Sequence, residues 1–437
     1  MIARRLLLVG ALAAAGGPGW LAHAAPPSAR PRVIVSTDAG GTDYDDLQSL
    51  VHLLLCGDAI EIEGLVSSPY GPGRVADIRS MIDVYEQDYP RLAKLAPAYP
   101  SPQALRAVTV QGATESAGPA GFAGDTEGSR LIVAAARRDD PRPLWVLVWG
   151  GIDDLAQALH DAPEILPRLR VYFIGGPNKK WSPTAYDYLV RAHPDLWIIE
   201  ANSTYRGQFV GGDQSGPWGN ERFVWGQVAG RGSLGDYFAT GIAFRGERET
   251  QLKMGDTPAV GYLLHGLPDD PEHGGWGGRF VRAWDRSRLV WTGLPTPDDE
   301  VETYRVVELV LPASVDRPAD ARATLQLDNQ PCPGSRLADG AWHFWFCPKE
   351  SKAWTFRITS DDPGLDGQTG SFRSLPPPAS RSGEPAERFP HWWTDDPDPA
   401  VAEGPHHGAK TVSRWRRAFL TDFARRLDQL TAGRASP

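Results

Sequence analysis

From Arg32 onward the chain alternates short apolar runs with amphipathic stretches, and that rhythm restricts the fold more than any other feature. Arg32–Thr37 (RVIVST), Glu61–Ser67, Leu144–Trp149, Val171–Ile174 and Leu196–Glu200 read as buried strands. Between them Leu47–Leu55, Val75–Tyr85, Gly128–Arg137, Leu155–Leu159 and Thr184–Arg191 carry helical periodicity. Strands too apolar to keep a wet face, separated by helices, predict an α/β fold with a mostly parallel central sheet flanked by helices. Such sheets bind ligands beyond the carboxyl ends of their strands, so the residues that follow each run are the ones to inspect for chemistry.

The rhythm breaks near Pro297. Val301–Leu311, Ala323–Leu327, Trp342–Cys347 and Ala353–Thr359 are strand-like without intervening helices, and Trp354, Phe356 and Ile358 alternate with polar residues. Residues 297–375 are therefore expected to form a small antiparallel β insertion in a domain spanning 32–296. Residues 376–410 are rich in Pro, Gly and charge and read as a linker. Trp415, Phe419, Phe423, Leu427 and Leu430 then mark one stripe of a helix over 411–430, expected to return to the α/β domain.

The first 24 residues read as a targeting segment. Arg4 and Arg5 precede the apolar run Leu6–Ala15 and the small-residue pattern Ala22-His23-Ala24, the order of a secretory signal peptide, although paired arginines also fit loosely a twin-arginine exporter. An exported protein, periplasmic or extracellular, is expected, with no membrane association beyond export. The formal charge of −9, from 45 basic and 54 acidic residues, offers no basic surplus for nucleic acid. Three cysteines are too few for a disulfide scaffold or a Cys-rich zinc module; Cys332 and Cys347 either bridge the β insertion or stay buried thiols.

The densest chemical signal is Ser36-Thr37-Asp38-Ala39-Gly40-Gly41-Thr42-Asp43-Tyr44-Asp45-Asp46, with four carboxylates just after a strand and before a helix. Gathering that charge is costly unless a cation neutralises it, and carboxylate oxygens in an irregular loop suit calcium. An Asp-rich turn with Asp45 capping the next helix is the plainer alternative. Gly230–Gly235 matches a dinucleotide fingerprint by spacing alone and reads as a loop. His406-His407 is expected to be solvated, Gly274–Gly278 to be a turn or a lid, and Asp361–Gly367 to be turn chemistry.

On these residues the sequence resembles the nucleoside hydrolases, and more closely an exported nucleoside hydrolase-like family with members described as cellulose-binding. Asp38 matches the first aspartate of that family's calcium loop, and Asp45 and Asp46 its closing pair. Trp149, in Trp149-Gly150-Gly151-Ile152-Asp153-Asp154, matches the residue whose main-chain carbonyl joins the calcium. Ile174-Gly175-Gly176 matches a Gly-Gly turn, and Ile199-Glu200-Ala201-Asn202 a ribose-binding segment. Asp256, in Met254-Gly255-Asp256-Thr257-Pro258, matches a calcium-binding aspartate, while Gly255 stands where many of the enzymes have a leaving-group histidine.

The resemblance thus implies a nucleoside hydrolase-like fold and calcium held by Asp38, Asp45, Asp46, Trp149 and Asp256. It implies Asp38 as the catalytic general base and Asp45, Glu200 and Asn202 as substrate-binding residues. The expected activity is calcium-dependent hydrolysis of an N-glycosidic (ribosyl) bond; the alternative is a non-catalytic carbohydrate-binding protein on the same fold. Either way the partner is a small molecule, a nucleoside, ribosyl compound or saccharide, and a homo-oligomer is left open.

Overall fold

The structure, a computed structural model, describes residues 30–431 apart from 42, 69–70, 245–246, 249–250 and 379–385. The signal-peptide reading of residues 1–24 falls outside them. Six parallel strands build most of the central sheet: β1 (Arg32–Thr37), β2 (Glu61–Ser67), β3 (Thr109–Gln111), β4 (Leu144–Val148), β5 (Leu169–Phe173) and β6 (Ile198–Glu200). Their order is β3-β2-β1-β4-β5-β6, continued by Trp392–Asp395, parallel to β6, and then by the antiparallel Phe280–Arg282.

Successive residues of these strands feed two different cores, as a sheet covered on both faces requires. Trp145 and Leu147 belong to one core with Val33 and Val35; Leu144, Val146 and Val148 belong to the other with Ile34. Helices α1 (Asp45–Leu55) and α2 (Val75–Leu95) cover the first face, together with Thr257–Leu264 and Arg416–Asp428. Asp153–Asp161 and Pro183–Ala192 cover the second. Because β2 lies on one side of β1 and β4 on the other, the connections leaving these strands diverge and open a crevice at their carboxyl ends.

A second sheet of eight strands runs from Leu289–Thr292 to Thr369–Leu375. It starts earlier than the expected boundary at 297. It is antiparallel at its centre and parallel at both edges, where Leu289–Thr292 pairs Val307–Leu311 and Glu300–Glu302 pairs Thr369–Leu375. Its inner residues form a core of their own around Leu309, Leu325, Phe344 and Ile358. Cys332 and Cys347 are both buried free thiols.

The linker expected over 376–410 is corrected by Trp392–Asp395, all four residues of which are buried. Trp392 faces one core and Trp393 the other. Four residues are too few to show a period, and the flanking Pro and charge hid them. Trp415, Phe419, Phe423, Leu427 and Leu430 all lie against the first core. Among the described residues no helix is long and apolar enough to cross a membrane.

The two sheets are locked by buried charge, and Pro31 onward forms one compact unit. Glu200, at the end of β6, accepts from Lys179 Nζ at 3.1 Å and from the Tyr186 hydroxyl, and Arg286 stands 3.5 Å away. Arg286 also reaches Glu302 of the second sheet at 3.7 Å, while Arg288 joins Asp187 at 2.9 Å and Glu308. Glu200 and Lys179 have no solvent exposure at all. Lys179→Met therefore takes the nearest cation from a buried carboxylate, leaving it Tyr186 and the more distant Arg286, and should cost about 3–5 kcal/mol, whereas Lys179→Met with Glu200→Gln should recover part of it. Chemical denaturation of the two variants checks this; equal losses would mean that Lys179 matters only for packing.

Candidate functional site

A cavity of about 370 Å³ opens at the crevice, and Asp38, Asp45, Asp46, Trp149 and Asp256 all line it. Asp38 follows β1 directly. Gly40, at φ +83°, turns the chain back, and Gly41 N donates to Asp38 O at 2.8 Å. Asp46 enters in the first turn of α1 and accepts from Thr37 Oγ1. Gly150 lets Asp38 sit against the β4 turn, because a Cβ there would stand 2.9 Å from Asp38 Cβ.

The segment bearing Asp256 is clamped to α1. Gln48 Oε1 accepts from Lys253 N at 2.8 Å and Met254 N at 2.9 Å, and Ser49 Oγ accepts from Asp256 N at 3.2 Å. Met254 pays for the tight path with a left-handed φ of +47°. The side chain of Asp256 does not cap the helix it precedes: Oδ2 is buried without a hydrogen-bond partner. Nor does Asp45 cap α1, whose first turn it occupies. The capping alternative thus fails for Asp45.

Sequence reasoning missed Lys253 and the part Asp43 plays. Lys253 Nζ meets Asp43 Oδ2 at 2.6 Å and Asp45 Oδ2 at 3.0 Å. Burial lowers this lysine, but Asp43, with Tyr205 and Asp256 adding to it, holds the ammonium above its ordinary pKa. Asp43, Asp45 and Asp46 can bring one oxygen each within 4.8 Å of one another, a set that could hold a metal ion. With Lys253 engaging two of the three, the unrelieved charge lies on Asp38, Asp46 and Asp256.

Their protonation shows it. Burial pushes Asp38 up to about 7, with the charge of Asp43 adding to the effect. Burial, then Asp256 and Asp38, drive Asp46 well above the carboxylate range. Burial, then Asp43 and Asp38, do the same to Asp256. With every group ionised, the five carboxylates lining the cavity exceed its three ammonium groups, Lys180, Lys253 and Lys349, by two negative charges, which one divalent cation would cancel. This donor set and the orphaned Asp256 oxygen fit a hard cation. The carbonyl of Trp149 already accepts from Asn178 Nδ2 at 2.5 Å, so only its second lone pair is left for a metal.

Glu200 and Asn202 are corrected. Glu200 is sealed in the charge network described above. Asn202 is 2% exposed; its Nδ2 donates to Thr394 at 3.2 Å and its main-chain N to Asp395 at 3.1 Å. Neither lines the cavity. The other lining residues include Asn178, Lys180 and Trp181 after the Gly175-Gly176 turn, Tyr205, and Asn329 and Lys349 from the second sheet. Lys180 and Trp181 follow a motif the sequence had exposed, and Lys253 adjoins another. No local pattern marks Asn329 or Lys349, which reach the site only through tertiary packing.

With this geometry in view, a family model described as cellulose-binding Sde182, nucleoside hydrolase-like domain, matches residues 32–280. That is more than half of the 437 residues, and the chain belongs to this family. Among solved structures, a nucleoside hydrolase-related hypothetical protein from Saccharophagus degradans, associated with carbohydrate metabolism, is 21% identical. The match covers 79% of this chain and 100% of that one, at a TM-score of 0.48. A purine-preferring ribonucleoside hydrolase from Gardnerella vaginalis is 13% identical over 91% of this chain and 98% of its own, at 0.41. An inosine-uridine preferring nucleoside hydrolase from Bacillus anthracis is 18% identical over 53% and 81%, at 0.32. No curated protein matches.

Gly255 makes room for Asp45: a Cβ there would stand 2.0 Å from Asp45 Oδ2, at the far end of that side chain. Gly255→Ala should therefore fold with little loss of stability but displace that carboxylate and weaken divalent-ion binding, as calorimetric titration of the metal would show; unchanged affinity would remove Asp45 from the site.

The raised carboxylates make a second prediction. A carboxyl whose folded pKa lies above its unfolded value gives stability that is full below the unfolded pKa, near 4, and lost as pH rises through the folded one, about 7 for Asp38. Metal-free protein should lose thermal stability across that window, and saturating divalent ion should restore it at the upper end. Asp153 and Asp395, also pushed up to about 7 by burial, lose stability in the same window without lining the cavity, so only the difference between chelated and loaded protein reports the site. Identical pH profiles would refute the metal assignment.

Proposed function

We propose that this protein is an exported, calcium-dependent hydrolase of N-glycosidic, ribosyl-type bonds. The observation that carries the reading is the convergence of Asp38, Asp46 and Asp256 at the crevice, buried together with more negative charge than the lysines neutralise. Asp38, Asp46 and Asp256 would hold the calcium, with Asp45 shared between it and Lys253. Bound there, calcium would anchor sugar hydroxyls and acidify water.

The remaining roles belong to the chain itself. Asp38 accepts the proton of the attacking water, and burial has already moved its carboxyl toward the neutral range suited to a base. Lys253 fixes Asp43 and Asp45 so that the floor keeps its shape. Tyr205 and Trp181 give the cavity flat apolar surface for a sugar ring. Export rests on the order of charge, apolar run and small residues over 1–24.

A second reading, a carbohydrate-binding protein without turnover, is favoured by one observation: Glu200 and Asn202 are withdrawn from the cavity. Ribonucleosides and saccharides screened with and without chelator separate the two. For a hydrolase, Asp38→Asn at saturating calcium should lose at least about 100-fold in turnover, while added calcium should partly rescue Asp256→Asn. Equal rescue of both variants would reduce Asp38 to a ligand. Saccharide binding with no release of base or sugar from any ribosyl substrate would establish the binding protein.

A further inference from the structure

The cavity has a cationic wall that the proposed hydrolysis does not use. Lys180 comes from the turn after β5, and Lys349 from the residues following Trp342–Phe346 in the second sheet; both line the cavity with Asn329. Both lysines face the same cavity, and after burial it is the charge of Lys349 that most strongly pushes Lys180 down, to about 7. Asp38 and Glu350 pull the other way and are outweighed. Asp38 is hydrogen-bonded to Asp46, and Glu350 stands 3.4 Å from Lys352.

Two ammonium groups held together without a counter-ion are costly, and this protein pairs its other lysines here. Lys253 has Asp43 and Asp45, and Lys179 has Glu200. Among the described residues, neither Lys180 nor Lys349 has a carboxylate within ion-pair distance, yet Lys180 is fixed in place. Its Nζ sits 3.7 Å from the centre of the Trp181 ring, and its carbonyl accepts from Gln330 Nε2 of the second sheet at 2.8 Å. A cation positioned and left unpaired in a cavity is a binding group.

We infer that Lys180, Lys349 and Asn329 form a subsite for an anionic group, a carboxylate or a phosphate, borne by the sugar whose hydroxyls reach the aspartates. The sugar end rests on the function proposed above; the anion end rests on the two lysines alone. The ligand class is thus an acidic sugar or sugar phosphate, and the second sheet is part of the recognition surface.

The test is calorimetric titration of the full chain with paired probes: glucuronate against glucose, and ribose 5-phosphate against ribose. The charged member of at least one pair should bind about tenfold tighter or more, the weight of one charge-assisted hydrogen bond, and the responding pair identifies carboxylate or phosphate. Lys349→Met and Lys180→Met should abolish that preference while leaving the neutral twin unchanged. If Lys180→Met fails to fold, half-buried Lys349 carries the test alone. Inorganic phosphate or glucuronate should still bind in chelator, so loss of the calcium reading leaves this arm intact. Equal binding of charged and neutral twins, no binding of either charged probe, or a preference that survives Lys349→Met would overturn the subsite.

Discussion

The constraint on which this structure turns is the crowding of like charge in a place with little water. Asp38, Asp46 and Asp256 come from three separate segments, and each is driven toward its neutral form by burial and by its neighbours. Such an arrangement persists only where the surrounding chain leaves it no alternative. Gln48 and Ser49 hold the Asp256 segment onto α1, Met254 accepts an unfavourable backbone conformation, and Gly150 and Gly255 leave room for the carboxylates. The stability given up there is recovered in the two cores that cover the sheet.

What was legible in the sequence followed from strength of pattern. β1, β2, β4 and the helices between them announced themselves because the apolar runs were long enough to show a period, and the aspartates because they followed a strand directly. Asp38, Asp45 and Asp46 stood out for that reason, Trp149 and Asp256 only through the family resemblance, and all five line one cavity. Glu200 and Asn202 also follow a strand, but β6 is not at the point where connections diverge. A partner lysine buried beside Glu200 turned it into structure. Trp392–Asp395 was missed because four residues between prolines carry no periodicity. Lys349 and Asn329 were beyond reach because nothing local ties a β hairpin to a site some 300 residues earlier in the chain.

The second sheet changes in meaning once its contacts are known. A surface insertion would touch its host through a few polar groups. Here Val306 and Trp345 join the core on one face of the central sheet, and Arg286 and Arg288 bind carboxylates of both halves. The cavity lies at the seam, with an acidic floor from one sheet and a basic contribution from the other.

The position of Trp392–Asp395 between β6 and Phe280–Arg282 governs how the chain must be made. Synthesis from the amino end completes β6 early, yet its hydrogen-bonding edge stays bare until Trp392–Asp395 has been made. An uncovered edge strand invites pairing with any extended neighbour. Nonsense mutations that stop short of Trp392 would produce sticky fragments rather than smaller working proteins.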